Sequence, residues 1–162
     1  MYTGFIMLGT QGQKNIPEEV VQALQEGLRE RLVAVVLFGS QARGDREPES
    51  DWDFLVIAKG LSESPLERHL ALKRLLPEAC RARACLLARG PEEFEAHVPS
   101  LYLDVALDGK ILYDPQGYAA EKLSFLRGLL DRLGLYRNRT SAGDVWRWRK
   151  EPPSPWRLAW GM

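Results

Sequence analysis

Two short apolar segments flank a polar stretch that carries a glycine–serine pair and two closely spaced aspartates. Residues 33–38, Val-Ala-Val-Val-Leu-Phe, end at Gly39-Ser40, and residues 54–58, Phe-Leu-Val-Ile-Ala, follow directly after Asp51-Trp52-Asp53. Apolar segments this short, rich in β-branched side chains and bounded by polar residues, are typical of buried β-strands. The sequence therefore predicts two strands, with the glycine–serine pair at the end of the first and the aspartates at the start of the second.

The two aspartates have the chemistry of a site for a hard divalent cation. Side chains alternate between the faces of a strand, so Asp51 and Asp53 project to the same side if both residues are extended. Two carboxylates on one face repel each other unless a cation lies between them. Neither histidine nor cysteine stands nearby in the sequence. Oxygen ligands alone suit Mg²⁺ or Mn²⁺, which bind carboxylates together with phosphate oxygens of a substrate.

The residues after the first strand suit a phosphate group. Gly39 has no side chain, so a phosphate can approach its backbone closely, and Ser40 adds a hydroxyl and a backbone N–H group. Arg43 carries a planar guanidinium whose fork of donors matches phosphate oxygens. Phosphate binding at Gly39, Ser40 and Arg43, next to a cation at the aspartates, describes a site for a nucleoside triphosphate.

These residues resemble the nucleotidyltransferase superfamily that includes DNA polymerase β and kanamycin nucleotidyltransferase, and most closely its minimal nucleotidyltransferase branch. That branch carries Gly-Ser, often followed by x-Ala-Arg-Gly, and then Ser-Asp-x-Asp before a hydrophobic strand. Residues 39–44 read Gly-Ser-Gln-Ala-Arg-Gly, and residues 50–53 read Ser-Asp-Trp-Asp. The resemblance is sharp over residues 33–58, looser to about residue 114 and faint beyond.

The resemblance implies an α/β nucleotidyltransferase fold, a small mixed β-sheet with helices packed mainly on one face. It implies a Mg²⁺-dependent enzyme that transfers a nucleoside monophosphate, AMP from ATP being expected, to an acceptor hydroxyl. Asp51 and Asp53 would be catalytic and bind the metal, while Gly39, Ser40 and Arg43 would bind the nucleotide. Minimal nucleotidyltransferases often act beside a HEPN-type toxin as its antitoxin, so the resemblance also implies such a partner.

One departure from the family concerns a third carboxylate. Active members usually carry an acid on a later strand, but the matching segment, residues 82–87, has none. The nearest later acids are Asp104 and Asp108. Residues 101–107 fit a strand or a helix by pattern, and a helix, which would direct Asp104 away from the site, is favoured. Two alternatives therefore stand beside the enzyme: a catalytically weak, nucleotide-binding antitoxin that acts by contact, and a small-molecule modifier, for which a second substrate domain is missing.

The chain is predicted to consist of a nucleotidyltransferase domain, residues 1–134, and a basic, tryptophan-rich extension, residues 135–162. Four of the five tryptophans and six basic but only two acidic residues lie in the extension. The Trp-Arg alternation at residues 146–149 suggests an edge strand with one aromatic and one basic face. Such a surface could stack RNA bases. The favoured alternative is that the tryptophans fold back on the parent domain or pack in a homodimer.

Composition places few further limits on function. Lysine plus arginine and aspartate plus glutamate number 22 each, so net charge gives no argument for nucleic acid or membrane. The longest apolar run, residues 32–38, is too short to span a bilayer. Cys80 and Cys85 are predicted as small buried side chains in a reducing cytoplasm, where we expect the protein to be located.

The sequence also predicts further secondary-structure elements. An irregular or frayed segment is expected at residues 1–15. Helices are expected at 17–31, 64–76 and 114–133, with a short helix that begins at residue 91, and strands are expected at 83–88 and 110–113.

Overall fold

A four-stranded mixed β-sheet forms the centre of the protein, as seen in a computed structural model that describes residues 15–45, 47 and 49–162. The strands are β1 (Leu32–Phe38), β2 (Trp52–Ala58), β3 (Ala84–Arg89) and β4 (Lys110–Tyr113). Their order across the sheet is β3-β2-β1-β4. Strand β1 is antiparallel to β2 and β4, whereas β2 and β3 are parallel. The predicted mixed sheet is therefore confirmed.

Seven α-helices connect and cover these strands in the described part of the chain. They are α1 (Ile16–Leu28), α2 (Gly39–Arg43), α3 (Pro65–Leu75), α4 (Glu78–Arg81), α5 (Pro91–Ala96), α6 (Ser100–Asp108) and α7 (Tyr118–Leu133). A 3₁₀ turn, Arg29–Arg31, extends α1 to the predicted end of that helix. The local patterns located the longer helices, but they missed α2 and α4, which have only five and four residues. The prediction for residues 1–14 lies outside the described residues.

Local signals explain where the predicted helices begin. At α3, the Ser64 hydroxyl accepts a hydrogen bond from the Glu67 backbone N–H at 3.4 Å, and Pro65 occupies the first turn. At α1, the Asn15 side chain accepts in the same way from the backbone N–H of Glu18. Each cap satisfies a backbone donor that would otherwise have no partner within the helix.

Helices cover both faces of the sheet. Along β1, Val35 and Leu37 belong to a core shared with α1, α3 and α4, whereas Ala34 and Val36 belong to a second core shared with α5, α6 and α7. The resemblance implied helices mainly on one face, and that detail is wrong. The physical reason is that β1 and β2 are apolar at successive positions, so both faces of these central strands must be shielded from water.

The C-terminal segment forms a hairpin of its own. Strands β5 (Leu135–Thr140) and β6 (Gly143–Trp148) pair with each other in a separate two-stranded sheet. Trp146, Trp148 and Trp160 pack against the second core, and the Trp160 indole N–H donates to the backbone oxygen of Phe94 at 3.0 Å. The interpretation that the tryptophans fold back is thus confirmed for these three, while Trp156 stays 49% exposed. The division of the chain at residue 134 stays a prediction.

Trp156 contacts Trp148 in an edge-to-face arrangement, at 4.7 Å between ring centroids. None of the helices in the described part of the chain is both long and apolar enough to cross a membrane.

Candidate functional site

The predicted phosphate turn and the predicted carboxylates meet where β1 ends beside the start of β2. Phe38, the last residue of β1, is paired in register with Asp53. The next residue, Gly39, has a φ of +72°, and a Cβ atom placed on it would lie 2.3 Å from Oδ2 of Asp53. The backbone at Gly39 and the Asp53 carboxylate are therefore in close contact, and only glycine leaves room for this approach.

Asp51 and Asp53 are electrostatically coupled. Burial raises the pKa of Asp53 above its ordinary value of 3.8, and the negative charge of Asp51 raises it further. A hydrogen bond from Cys85 and the charge of Arg43 act in the opposite direction. Asp51 itself is exposed, one residue before β2 begins. These surroundings disfavour the charged form of Asp53, and a cation bound between the two carboxylates would stabilise that form.

Cys85 is the nearest chemical neighbour of Asp53 on the adjacent strand. The two residues are in register across the parallel β2–β3 pair, and their side chains share a hydrogen bond. Partial desolvation of the sulfur and the Asp53 charge raise the pKa of the Cys85 thiol, so the thiol keeps its proton and donates a hydrogen bond to the carboxylate. Sequence reasoning missed this contact and placed both cysteines in the interior, whereas Cys85 is exposed and only Cys80 is buried.

A short hydrogen-bonded link holds Asp51 at the mouth of this site. The backbone oxygen of Ser50 accepts from the side chain of Gln41 at 3.0 Å and from Arg83 at 3.2 Å. Gln41 is buried in α2, the helix that begins at Gly39 and includes Ser40. The turn after β1 and the residue before Asp51 are therefore tied together, and α2, which the sequence did not predict, supplies the connection.

Next to the turn lies an open cavity of about 560 Å³. Gly39 and Arg43 contribute one wall, and Leu101 and Asp104 of α6 another. The prediction that residues 101–107 are helical is confirmed. However, Asp104 faces the cavity shared with Gly39 and Arg43 rather than pointing away, because α6 packs directly against α2. Its carboxylate accepts a hydrogen bond from Arg137 at 3.2 Å, so it is engaged in an ion pair rather than offered to Asp51 and Asp53.

In the described part of the chain, the two aspartates are the candidate metal ligands at this site. Among residues 15–45, 47 and 49–162, no group of three or more His, Cys, Asp or Glu side chains is arranged to hold a metal ion. Mg²⁺ usually retains water and binds through one or two carboxylates together with substrate phosphates. Two carboxylates beside an open, glycine-lined turn fit a metal that is shared with a substrate in this way.

The raised pKa of Asp53 leads to a testable effect on stability. A carboxyl group whose pKa is higher in the folded than in the unfolded state destabilises the fold progressively as pH rises through the window between those two values. We therefore expect Asp53→Asn to raise the thermal midpoint of the ligand-free protein by about 2 °C at pH 7. The gain should disappear below about pH 3.5, where the carboxyl is protonated in both states.

Thermal melts followed by circular dichroism in chelator, over a pH series, measure this effect. Glu63→Gln is the matched control, since Glu63 is an exposed carboxylate on the loop before α3. A lower midpoint for Asp53→Asn at pH 7, or a gain that does not change with pH, would contradict the assigned environment of Asp53.

Two curated relatives come from the archaeon Methanocaldococcus jannaschii. The candidate protein adenylyltransferase MJ1305 is 39% identical over 64 residues, which are 40% of this chain and 44% of MJ1305. The candidate protein adenylyltransferase MJ0604 is 32% identical over 97 residues, which are 59% of this chain and 93% of MJ0604. The chain thus spans less than half the length of the first relative and nearly all of the second.

Among solved structures, this protein is similar to one chain from a toxin–antitoxin structure with AMP-PNP. The TM-score is 0.51 at 21% identity, and the alignment covers 72% of this chain and 90% of that one. A variant of the MntA–HpeT toxin–antitoxin complex aligns with a TM-score of 0.50 at 22% identity, over 74% of this chain and 92% of that one. At this identity the likeness concerns the fold alone.

The family model described as "Polymerase beta, Nucleotidyltransferase" matches residues 18–115, a range that contains Gly39, Ser40, Arg43, Asp51 and Asp53. Because this match spans more than half of the chain, the protein belongs to the polymerase β nucleotidyltransferase family.

Proposed function

We propose that this transferase moves a nucleoside monophosphate from a nucleoside triphosphate, with ATP the expected donor, to a hydroxyl group on a HEPN-type protein partner. The observation that carries the proposal is the close approach of the Gly39 backbone to the Asp53 carboxylate, with Asp51 beside it. Phosphate groups and a divalent cation can both be bound within this small space, as nucleotidyl transfer requires.

Each residue of the site has a proposed role. Asp51 and Asp53 would hold Mg²⁺, or Mn²⁺ in its place, which neutralises charge on the phosphate oxygens and on the leaving pyrophosphate when it is bound. Gly39 lets the outer phosphates approach the backbone, and Ser40 donates its hydroxyl and N–H groups to them. Arg43 adds a positive charge at the same end of the site.

The reaction is a substitution at the α-phosphorus. The acceptor oxygen bonds to this phosphorus, while the bond from the phosphorus to the α–β bridging oxygen breaks. Pyrophosphate leaves with that electron pair, and the hydroxyl proton passes to Asp53 or to solvent. Positioning and charge neutralisation account for most of the catalysis in phosphoryl-group chemistry, so the chain needs few reactive groups of its own.

The relatives support the donor and the partner by analogy. Both Methanocaldococcus proteins are named for adenylyl transfer to proteins, and the complex with AMP-PNP joins a toxin to an antitoxin. A toxin as the partner accords with these names, whereas the HEPN type of that toxin and a location in the cytoplasm follow from the family resemblance. For this chain they are proposals.

The test uses ATP labelled at either the α- or the γ-phosphate, incubated with Mg²⁺, this protein and a HEPN-type protein from the same organism. We expect the α label to become attached to the HEPN-type protein, while the γ label is released as pyrophosphate. Attachment of the γ label would instead indicate a kinase. Transfer that persists at full rate in the Asp51→Asn/Asp53→Asn double variant would exclude the assigned site.

A second candidate function is a catalytically weak antitoxin that binds nucleotide and acts by contact. The observation that favours it is Cys85, which lies beside Asp53 in the segment where the resemblance called for a third carboxylate. In that case the wild-type protein binds both ATP and the partner but transfers no label. The Cys85→Asp variant should then transfer label, and the Cys85→Ser variant should not. Equal transfer by the wild type and Cys85→Asp would speak against this candidate.

A further inference from the structure

A closed ring of alternating charges connects the phosphate turn to the C-terminal hairpin. Starting at the turn, its members are Arg43, Asp45, Arg139, Asp144, Arg137 and Asp108, and Asp108 contacts Arg43 again. The nitrogen–oxygen distances around this alternating ring lie between 2.5 and 3.7 Å. Three separate parts of the chain, the turn after β1, the end of α6 and the hairpin, therefore meet through charged side chains.

The arginines of the ring differ in their surroundings. Arg137 has a side chain only 15% exposed, and it donates to both carboxylate oxygens of Asp108 and also to Asp104. These contacts anchor the hairpin to α6. Arg139 is 67% exposed, and its guanidinium lies 3.3 Å from Asp144 and 3.7 Å from Asp45. Exposed ion pairs at such distances contribute little to stability, so Arg139 can exchange partners at low cost.

Asp45 lies between Arg43 of the turn and Arg139 of the hairpin. One of its oxygens, Oδ2, accepts from Nε of Arg43 at 3.2 Å and faces Nη2 of Arg139 at 3.7 Å. A phosphate oxygen can occupy the same place, because the guanidinium fork binds carboxylate and phosphate with the same geometry. Of the other acids of the cavity, Asp104 pairs with the largely buried Arg137. Asp144 pairs with both Arg137 and Arg139, so Arg139 keeps Asp144 as a partner when a phosphate replaces Asp45.

Arg139 and Arg43 face the same cavity. The 560 Å³ space beside Gly39 is lined by Arg43 and Asp45 on the side of the turn, and by Arg139, Thr140 and Ser141 on the side of the hairpin. Its volume is in the range of sites for small ligands. The hairpin lies outside residues 18–115, so the family match assigns it no role.

We propose that Arg139 is a phosphate-binding residue, and that the outer phosphates of the nucleotide displace Asp45 from between Arg43 and Arg139. The C-terminal hairpin then forms a wall of the nucleotide site rather than a separate appendage. This inference rests on the proposed function, since it takes a nucleoside triphosphate to be the ligand at Gly39. It adds a residue from the C-terminal extension to that site.

Binding measurements on Arg139→Gln test the inference. Arg147→Gln is the matched control, because Arg147 is an exposed arginine on β6 of the same hairpin and does not line the cavity. By calorimetry with Mg²⁺ present, Arg139→Gln should weaken binding of ATP and of pyrophosphate about tenfold and leave AMP binding unchanged. Asp45→Asn should strengthen ATP binding about threefold, since it removes the competing carboxylate.

Each result separates the inference from the proposed function. Thermal melts should show that the variants fold as the wild type does, and Arg139→Lys should recover part of the lost affinity. If the wild type binds ATP and Arg139→Gln binds it equally well, only the inference is overturned. Equal losses of ATP and AMP affinity would overturn it too, because Arg139 would then not contact the outer phosphates. If the wild type binds no nucleotide, both proposals fail.

Discussion

Asp53→Asn should reduce nucleotidyl transfer by about a thousandfold while leaving the protein folded. The Asp53 carboxylate lies in close contact with the Gly39 backbone and is near the negative charge of Asp51. It is therefore the group best placed to share a cation with a phosphate. An amide of the same shape keeps the packing and can still accept a hydrogen bond from Cys85. It cannot supply the negative charge that the cation requires.

Initial rates of α-label transfer at saturating ATP measure this loss. Asp51→Asn should cause a loss of the same kind, because the two carboxylates act on one cation. Glu63→Gln serves again as the control and should transfer at the wild-type rate. A loss of less than about tenfold for Asp53→Asn, with Mg²⁺ present, would mean that this carboxylate does not hold the catalytic metal.

Gly39→Ala should reduce transfer by about a hundredfold and should also destabilise the protein by roughly 1–2 kcal/mol. The added methyl group would meet the Asp53 carboxylate at 2.3 Å, so either the carboxylate or the turn must move. The φ of +72° adds backbone strain for any residue with a side chain. A shift of one ångström at a reacting centre is enough for a large loss of rate.

Gly44→Ala is a close control for this prediction. Gly44 also has a positive φ, +84°, but a Cβ atom there would meet no atom within 4 Å. Gly44→Ala should therefore lose stability through the same kind of backbone strain as Gly39→Ala, as measured by the free energy of unfolding in urea. It should nevertheless keep most of the transfer activity. Equal activity losses in the two variants would show that strain, rather than the contact with Asp53, explains the effect of Gly39→Ala.

The parts of the site that lie close together in sequence could be predicted from local patterns. Gly39 follows the end of one apolar strand and the two aspartates stand at the start of the next, and antiparallel pairing of these strands brings Phe38 into register with Asp53. The strand at Lys110–Tyr113 was predicted with its observed bounds, because turn-forming residues stand on both sides of a short apolar run.

The remaining features depend on contacts between distant segments, which local patterns do not contain. The position of Cys85 beside Asp53 follows from the β2–β3 register, and no signal within residues 82–87 indicates that register. The Trp-Arg alternation predicted a strand correctly, but not that Trp146 pairs with Arg137 in a separate hairpin. The alternating ring joins residues up to 101 positions apart, Arg43 and Asp144, and is visible only in three dimensions.

The most direct test of the central claim is a crystal structure of the protein with Mn²⁺ and an ATP analogue whose α–β bridge cannot be cleaved. Anomalous scattering then locates the metal independently of the nucleotide. We expect a manganese peak within about 2.2 Å of carboxylate oxygens of both Asp51 and Asp53, with the triphosphate bound against Gly39 and Ser40. A metal bound away from these carboxylates, or a triphosphate bound away from the Gly39 turn at saturating concentration, would contradict the account.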